Sequence, residues 1–279
     1  SSMLKFPNSS CLFLLNSTEP LSLFSLLLFR LSSYISYRRK AVGAHGLHSP
    51  FLFKLYNEVL KPAKRFSLQN VEGIRKQLKQ DHKLIDLYDL KTGEYFQQTI
   101  SSVAKRSLSK RKFSSFLFLL SNFLSVETIL ETGTSLGVNA LYLAGPEKVN
   151  RVVTIEASPI LASIAKKQFS KLLQHKIEII QGTIAEKLEY AIAKEQPQIC
   201  FLDADHRASA LNWSVDTIMK HCPNIECIVI HDIYWSEDMN SAWKAFINDR
   251  RFNVTLDIFQ AGLLFPKIEM PKQHFTVHF

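Results

Sequence analysis

The sequence is short of cysteine, of glycine and of long apolar runs. Its 4 cysteines, Cys11, Cys200, Cys222 and Cys227, are too few and too unevenly spaced for a disulfide framework. A reducing cytoplasm is the simplest compartment. Cys200 and Cys227 sit in strand-like apolar runs, where a thiol packs as a small hydrophobe. The Cys222-x4-Cys227 spacing lacks a second ligand pair, so no zinc site is expected there. Near the N-terminus, Glu19 and Pro20 break the apolar text and Arg30 closes the uncharged run 21–29. That run is far short of the roughly 20 residues a spanning helix needs. No small-residue cleavage site follows a continuous apolar core, which argues against a secretory signal. No internal repeat is present, and only the Ser/Leu-rich N-terminus has low complexity.

What is present is ordinary globular text: 279 residues, 46% apolar and 21% charged, enough to bury a substantial core. The net charge of +9 is unevenly spread. Residues 1–122 hold 19 Lys/Arg against 7 Asp/Glu, whereas residues 123–279 hold 15 against 18. Two parts with different tasks are expected: a basic helical extension or lid over 1–112 and a second domain over 113–279.

Residues 11–40 allow two readings. A helix there packs its Leu/Phe face on the protein or on a second subunit, giving a homodimer. Alternatively it lies in a membrane interface, because Arg38, Arg39 and Lys40 follow at once and suit anionic lipid. Ser49-Pro50 reads as an N-cap with proline at the first helical position. His45 and His48 lack a third ligand nearby and read as structural or substrate-facing. Residues 61–112 are basic, with Leu68, Val71, Ile74 and Leu78 at helical spacing around Arg75, Lys76 and Lys79. Such a run is usually a solvated face. No aromatic-interleaved motif supports nucleic acid as its partner.

From residue 127 short β-branched runs alternate with helical patterns. Strands are expected at 128–131, 151–156, 177–180, 198–202, 227–231, 253–259 and 262–265. Helices are expected at 137–144, 159–173, 184–193, 208–221 and 238–249. Such alternation implies a parallel sheet with helices on both faces, and ligands at the carboxyl ends of its strands. The fold class is therefore α/β, a Rossmann-like, seven-stranded, mostly parallel sheet with an antiparallel final hairpin.

The polar residues at those strand ends form a coherent set. The first end reads Glu131-Thr132-Gly133-Thr134-Ser135-Leu136-Gly137, a tight turn into a helix. Two glycines do not make G-x-G-x-x-G, and a dinucleotide pyrophosphate would want more open backbone. Glu131 would repel phosphate and favour a ligand bearing an amino group or a sulfonium. The second end is Glu156, followed by Ala157. An acid about 20 residues past a glycine turn is placed to accept hydrogen bonds from ribose hydroxyls. The competing role is complementing the dipole of the next helix.

These residues resemble the class I S-adenosylmethionine-dependent methyltransferases. Glu131-x-Gly133-x-Ser135-x-Gly137 looks like that family's first motif, with Ser for the middle Gly, and Glu156 matches its ribose-binding acid. Gly182 and Thr183 match the adenine-contacting position. Phe201-Leu202-Asp203-Ala204-Asp205-His206 and Ile228-Val229-Ile230-His231-Asp232 resemble the fourth- and fifth-strand ends of small-molecule O-methyltransferases. The resemblance covers roughly residues 113–266.

It implies S-adenosylmethionine as cofactor, held by Glu131, Gly133, Thr134, Ser135, Gly137, Glu156, Ala157, Gly182, Thr183 and Asp203. It also implies methyl transfer to a hydroxyl or amine of a small-molecule or lipid-like acceptor. Catalytic candidates are Asp203, His206, His231 and Asp232, since histidine suits a neutral-pH base. Asp205 reads instead as a cap of the following helix. The family's metal-dependent members hold a divalent cation through the fourth-strand acid and an Asp-Asn pair after the fifth strand. Here Asp203 and Asp232 are present, but Ile233 stands where the Asn would be, so a divalent metal is disfavoured. The alternatives are a nucleic-acid methyltransferase using the basic region, although residues 201–206 lack the Pro-Pro-aromatic motif of amino-directed enzymes, and a non-catalytic interaction protein.

Overall fold

The structure, a computed structural model, describes residues 20–89, 92–172 and 175–279. Cys11, the apolar segment 11–19 and Leu173, the expected end of one helix, lie outside the described residues. Helix α1 (Pro20–Lys40) is followed by α2 (Pro50–Leu55). As expected, Ser49 caps α2, its hydroxyl accepting the Leu52 N–H at 3.4 Å with Pro50 next in line. Helix α3 (Gln69–Gln80) buries Val71, Ile74 and Leu78. Arg75, expected on a solvated face, is buried with them. Its guanidinium donates to the Glu72 carboxylate at 3.0 Å, to Ser114 Oγ at 2.9 Å and to the Ser109 carbonyl. A charge so paired can leave water without being stranded.

The basic part is not wholly helical. Strands β1 (Leu84–Tyr88) and β2 (Tyr95–Thr99) form an antiparallel hairpin whose alternation buries Ile85 and Leu87. Helices α4 (Ile100–Ser107) and α5 (Arg111–Phe123) follow, and the 112/113 division falls inside α5.

The remaining elements alternate. They are β3 (Thr128–Thr132), α6 (Val138–Leu143), β4 (Arg151–Glu156), α7 (Pro159–Lys171), β5 (Ile177–Gln181), α8 (Ile184–Glu195) and β6 (Ile199–Leu202). Then come α9 (Ala208–His221), β7 (Cys227–His231), α10 (Glu237–Asn248), β8 (Val254–Asp257), β9 (Ala261–Phe265) and β10 (Gln273–Thr276). The sheet order is β10-β8-β9-β7-β6-β3-β4-β5. Strands β3 to β7 are mutually parallel, and β9 runs antiparallel to both β7 and β8. The final hairpin is thus as expected, and an eighth strand, β10, adds parallel to β8.

Alternate residues of each strand feed two cores. Ile129, Val152, Ile199, Phe201 and Val229 face α2 and α5. Leu130, Val153, Cys200, Leu202, Ile228 and Ile230 face α8, α9 and α10. Full burial of each such side chain contributes about 1.5–3 kcal/mol, so the register that presents both sets is strongly enforced. Cys200 and Cys227 are fully buried and act as small hydrophobes, while the buried Cys222 thiol donates to the Pro197 carbonyl at 2.9 Å. A third cluster joins α3, α4 and β1 to α6 and α7.

Helix α1 is held mainly by its inward side. Tyr34 and Tyr37 pack on Phe259 with ring centroids 5.0 and 5.1 Å away. The Tyr37 hydroxyl donates to the Val277 carbonyl at 2.6 Å, and Val42 bridges Val277 in parallel. Its opposite side leaves Phe24, Leu27, Leu28 and Ile35 exposed. Among the described residues no helix is long and apolar enough to cross a membrane.

Candidate active site

The carboxyl ends of β3, β4, β6 and β7 lie side by side, and each ends in, or is followed at once by, a polar residue. At the end of β3, Gly133 has φ +88°, and a Cβ there would meet the Asp203 carbonyl at 2.7 Å. Only glycine allows that turn and that approach. Gly137, at φ +82°, starts α6 against Phe169, where a Cβ would also collide. Ser135 sits at φ +50°, held by a 2.7 Å hydrogen bond to the Ser107 hydroxyl of α4.

Glu131 is fully buried behind this turn. Thr154 Oγ1 donates to its Oε2 at 2.7 Å, and Thr134 Oγ1 lies 2.6 Å from Thr154 Oγ1. Its Oε1 has no hydrogen-bond partner. Burial lifts the Glu131 carboxyl well above the usual range, against the pull of the Thr154 hydrogen bond. A cationic ligand group would reverse that by giving the ionised form a partner.

Glu156 closes β4. Its oxygens accept the Ser135 N–H at 2.8 Å and the Ser158 N–H at 2.9 Å, while burial raises its pKa. The Ala157 N–H also stabilises the ionised carboxylate, whose two oxygens together still have acceptor capacity for a ligand hydroxyl. Ala157 follows at the exposed rim. The Gly182 N–H donates to the Glu156 carbonyl at 2.9 Å, which brings the end of β5 beside the same edge. Thr183 spends its hydroxyl on the first turn of α8, in a reciprocal capping pair with Glu186.

The ends of β6 and β7 bring Asp203, His206, His231 and Asp232 together. His231 Nδ1 is 2.7 Å from Asp203 Oδ1 and 3.5 Å from Asp232 Oδ2. His206 Nε2 is 3.5 Å from Asp232 Oδ2 and 4.0 Å from Asp203 Oδ1. The short Asp203–His231 approach lacks hydrogen-bond alignment at the ring nitrogen. Asp232 holds a left-handed backbone, φ +54°, of the strained kind that clusters at functional sites. Burial pushes the Asp203 carboxyl up, opposed by the two histidines. Burial also disfavours charge on His231, but the neighbouring carboxylates outweigh it and raise its pKa. For Asp232 burial is outweighed by His231, His206 and Arg30, and its pKa falls.

The surroundings hold residues that sequence patterning does not single out. Phe113 of α5 packs on the His231 ring at 4.6 Å. Trp235 lies edge-on to His206 at 5.4 Å. Arg30 of α1 stacks 3.9 Å over Trp235 and donates to its carbonyl at 2.9 Å. A lone cation inside an apolar helix was the available signal for Arg30. Asp205 does not cap α9. It pairs with Arg207, and Asp238 accepts the Ala208 N–H at 2.8 Å instead. His45 and His48 are exposed and do not join this cluster. Ile233 is fully buried in the apolar core.

No protein-family model matches the chain, and no curated protein sequence does either. Solved structures do. An SAH-bound methyltransferase from Podospora anserina matches with a TM-score of 0.52 at 16% identity, over 73% of this chain and 97% of that one. An O-methyltransferase from Bacillus cereus in complex with SAH matches with a TM-score of 0.52 at 15% identity, over 72% of this chain and 92% of that one. The chain therefore has the Rossmann-like fold of the class I methyltransferases.

Proposed function

We propose that this protein is an S-adenosylmethionine-dependent methyltransferase acting on a hydroxyl of a small, lipid-like acceptor. One observation carries the reading. The glycine turn with its partnerless buried Glu131 oxygen and the acid Glu156 lie on the same sheet edge as the Asp203–His231 pair. A donor site and a proton-accepting site are then neighbours.

Bound S-adenosylmethionine supplies a methyl group already activated on a sulfonium. Glu156 accepts a ribose hydroxyl through its remaining acceptor capacity. Glu131, ionised in the presence of a cation, balances the positive charge of the donor. Gly133, having no side chain, leaves the main chain bare so that the donor can approach it. Asp203 and His231 face the acceptor and take up the proton its hydroxyl loses. The remaining task is orientation, which rigid strand ends perform well.

The lipid-like acceptor is supported by α1. Phe24, Leu27, Leu28 and Ile35 point outward while Arg30 reaches inward to Trp235, so one helix runs from an apolar surface to the cluster. Arg38, Arg39 and Lys40 end it with positive charge suited to an anionic membrane periphery. The nucleic-acid alternative loses support because Arg75 and Arg111 spend their donors internally. Arg111 donates to the Phe66 and Lys64 carbonyls at 2.6 and 2.9 Å.

Calorimetry with SAM and SAH on wild type and Glu156→Ala tests the proposal. Binding is expected in the wild type. Each lost hydrogen bond to the charged group weakens it by about 1.5–3 kcal/mol, or about ten- to a hundredfold. Equal affinity in the variant removes the ribose assignment, and absence of binding in both removes the methyltransferase reading.

A further inference from the structure

We propose that Arg38, Lys64, Lys110 and Lys112, with His278 beside them, form a binding site for a phosphomonoester dianion, either free or carried as a lipid headgroup. The site shares no residue with the donor and acceptor sites and does not depend on methyl transfer. It gives a task to positive charge that the sequence alone leaves as a solvated face.

Folding gathers these cations from segments far apart in the chain. The Arg38 guanidinium, at the end of α1, lies 3.5 Å from His278 Nδ1. The His278 N–H donates to the Val42 carbonyl at 3.0 Å, and the Phe279 N–H donates to Tyr37 Oη at 3.1 Å. Residues 278 and 279 are thereby fixed against the end of α1. Lys112, in the first turn of α5, holds its ammonium 3.7 Å over the Phe279 ring. Lys110 immediately precedes α5. Arg111 donates to the Lys64 carbonyl at 2.9 Å, which ties the short turn Pro62–Lys64 to the same helix start.

Such a gathering is costly without an anion. The charges that act on Lys112 are those of Lys64 and Lys110, and those that act on His278 are Arg38 and Lys64, all of them positive. Burial first, and these neighbours second, push the Lys112 ammonium down to about 8 and lower His278. Even with one negative charge allowed for the Phe279 carboxyl group, positive charge is left over. The start of α5 adds to the mismatch. Its first turn holds Arg111 and Lys112 and no acid, and Lys110 supplies no side-chain cap, although the positive end of a helix dipole favours anions. The side chains set the class of ligand. One guanidinium fork and three ammoniums suit the several oxygens and double charge of a phosphomonoester better than a single carboxylate. Arg111 is not among the ligands, because its guanidinium is spent on the Phe66 and Lys64 carbonyls. On α1 the exposed Leu28 and Ile35 lead up to Arg38 and Arg39, so a lipid headgroup held here would stand beside an apolar stripe. The competing explanation is a diffuse basic face with no defined ligand.

The full chain is tested by calorimetry with inorganic phosphate and by co-sedimentation with phosphatidylcholine vesicles carrying phosphatidic acid or phosphatidylserine at equal surface charge. Binding of free phosphate alone assigns a soluble phosphomonoester. Binding of phosphatidic acid vesicles, about tenfold or more tighter than phosphatidylserine vesicles, assigns a headgroup. Lys64→Gln with Lys110→Gln removes two exposed cations, so Tm is expected to stay or rise, and binding to weaken by about thirtyfold. Side-chain NMR of wild-type protein should show Lys112 titrating higher once phosphate is bound, because an anion favours the charged form. Wild-type protein that binds neither phosphate nor phosphatidic acid overturns the proposal, and so does affinity that survives the double substitution. Vesicle binding as tight with phosphatidylserine as with phosphatidic acid overturns it in favour of the diffuse face. A single-stranded oligonucleotide bound more tightly than either probe, and lost in the same variant, overturns it in favour of nucleic acid. SAH binding, measured on the same samples, bears on the methyltransferase reading alone.

Discussion

The Ser107 hydroxyl lies 2.7 Å from the Ser135 hydroxyl, which ties the N-terminal layer to the turn after β3. Ser135 holds a positive φ that a serine does not choose freely, and its N–H is already engaged by Glu156. The bond from α4 helps to hold that strained backbone. Ser107→Ala is expected to leave the fold intact and to weaken SAH binding. The loss of one neutral hydrogen bond, about 0.5–1.5 kcal/mol, corresponds to about two- to tenfold in Kd by calorimetry.

Gly133→Ala tests the turn directly. A Cβ at φ +88° and 2.7 Å from the Asp203 carbonyl must push β3 and β6 apart or move the backbone. The backbone strain alone is about 1–3 kcal/mol. A lower Tm together with loss of SAH binding is expected. Unchanged values of both would show that the turn adapts.

The pH dependence of stability has a specific source in Asp257. Burial pushes its carboxyl up to about 6, although the Tyr234 hydroxyl donates to it at 2.5 Å and the Phe259 N–H at 2.7 Å. In the unfolded chain the group ionises near 3.8. Between roughly pH 4 and 6 the folded state holds a proton that the unfolded state has lost, so stability falls as pH rises through that window. The whole effect is at most about 3 kcal/mol. Denaturant titrations at several pH values should show that Asp257→Asn removes this component and is the more stable protein above pH 7.

The outward stripe of α1 predicts membrane affinity. Leu27 and Leu28 are 44% and 49% exposed, so Leu27→Ser with Leu28→Ser should change Tm little. If the stripe enters lipid, each leucine contributes about 1.5 kcal/mol, and co-sedimentation with anionic vesicles should fall on the order of a hundredfold. Wild-type protein that stays in the supernatant would count against an interfacial α1. A dimer in solution that the double variant dissociates would instead assign the stripe to a second copy.

The parallel strands are legible in the sequence for a physical reason. Strands buried on both faces carry unbroken apolar text, as in Cys227–His231, and their helices start with clear caps, as Ser158 does for α7. Strand β10 is different. Gln273–Thr276 has no such text and is held at the sheet edge by its pairing with β8. Hairpin β1–β2 alternates in period two, a signal diluted by its basic surroundings. The site divides the same way. Glu131, Gly133 and Glu156 follow from spacing along the chain. The convergence of His206 on Asp232 needs β6 and β7 side by side, and the arrival of Arg30 over Trp235 joins residues 205 positions apart.

The Tyr37–Val277 hydrogen bond joins residues separated by 240 positions. At typical translation rates the second partner leaves the ribosome on the order of 10–50 s after the first. Throughout that interval α1 has no docking surface, and both its tyrosine side and its leucine stripe face solvent. The nascent chain thus presents this apolar stripe before the body that will receive the helix exists. A chaperone or a nearby bilayer can engage α1 first, and the order of synthesis, rather than final affinity, then decides where the helix first comes to rest.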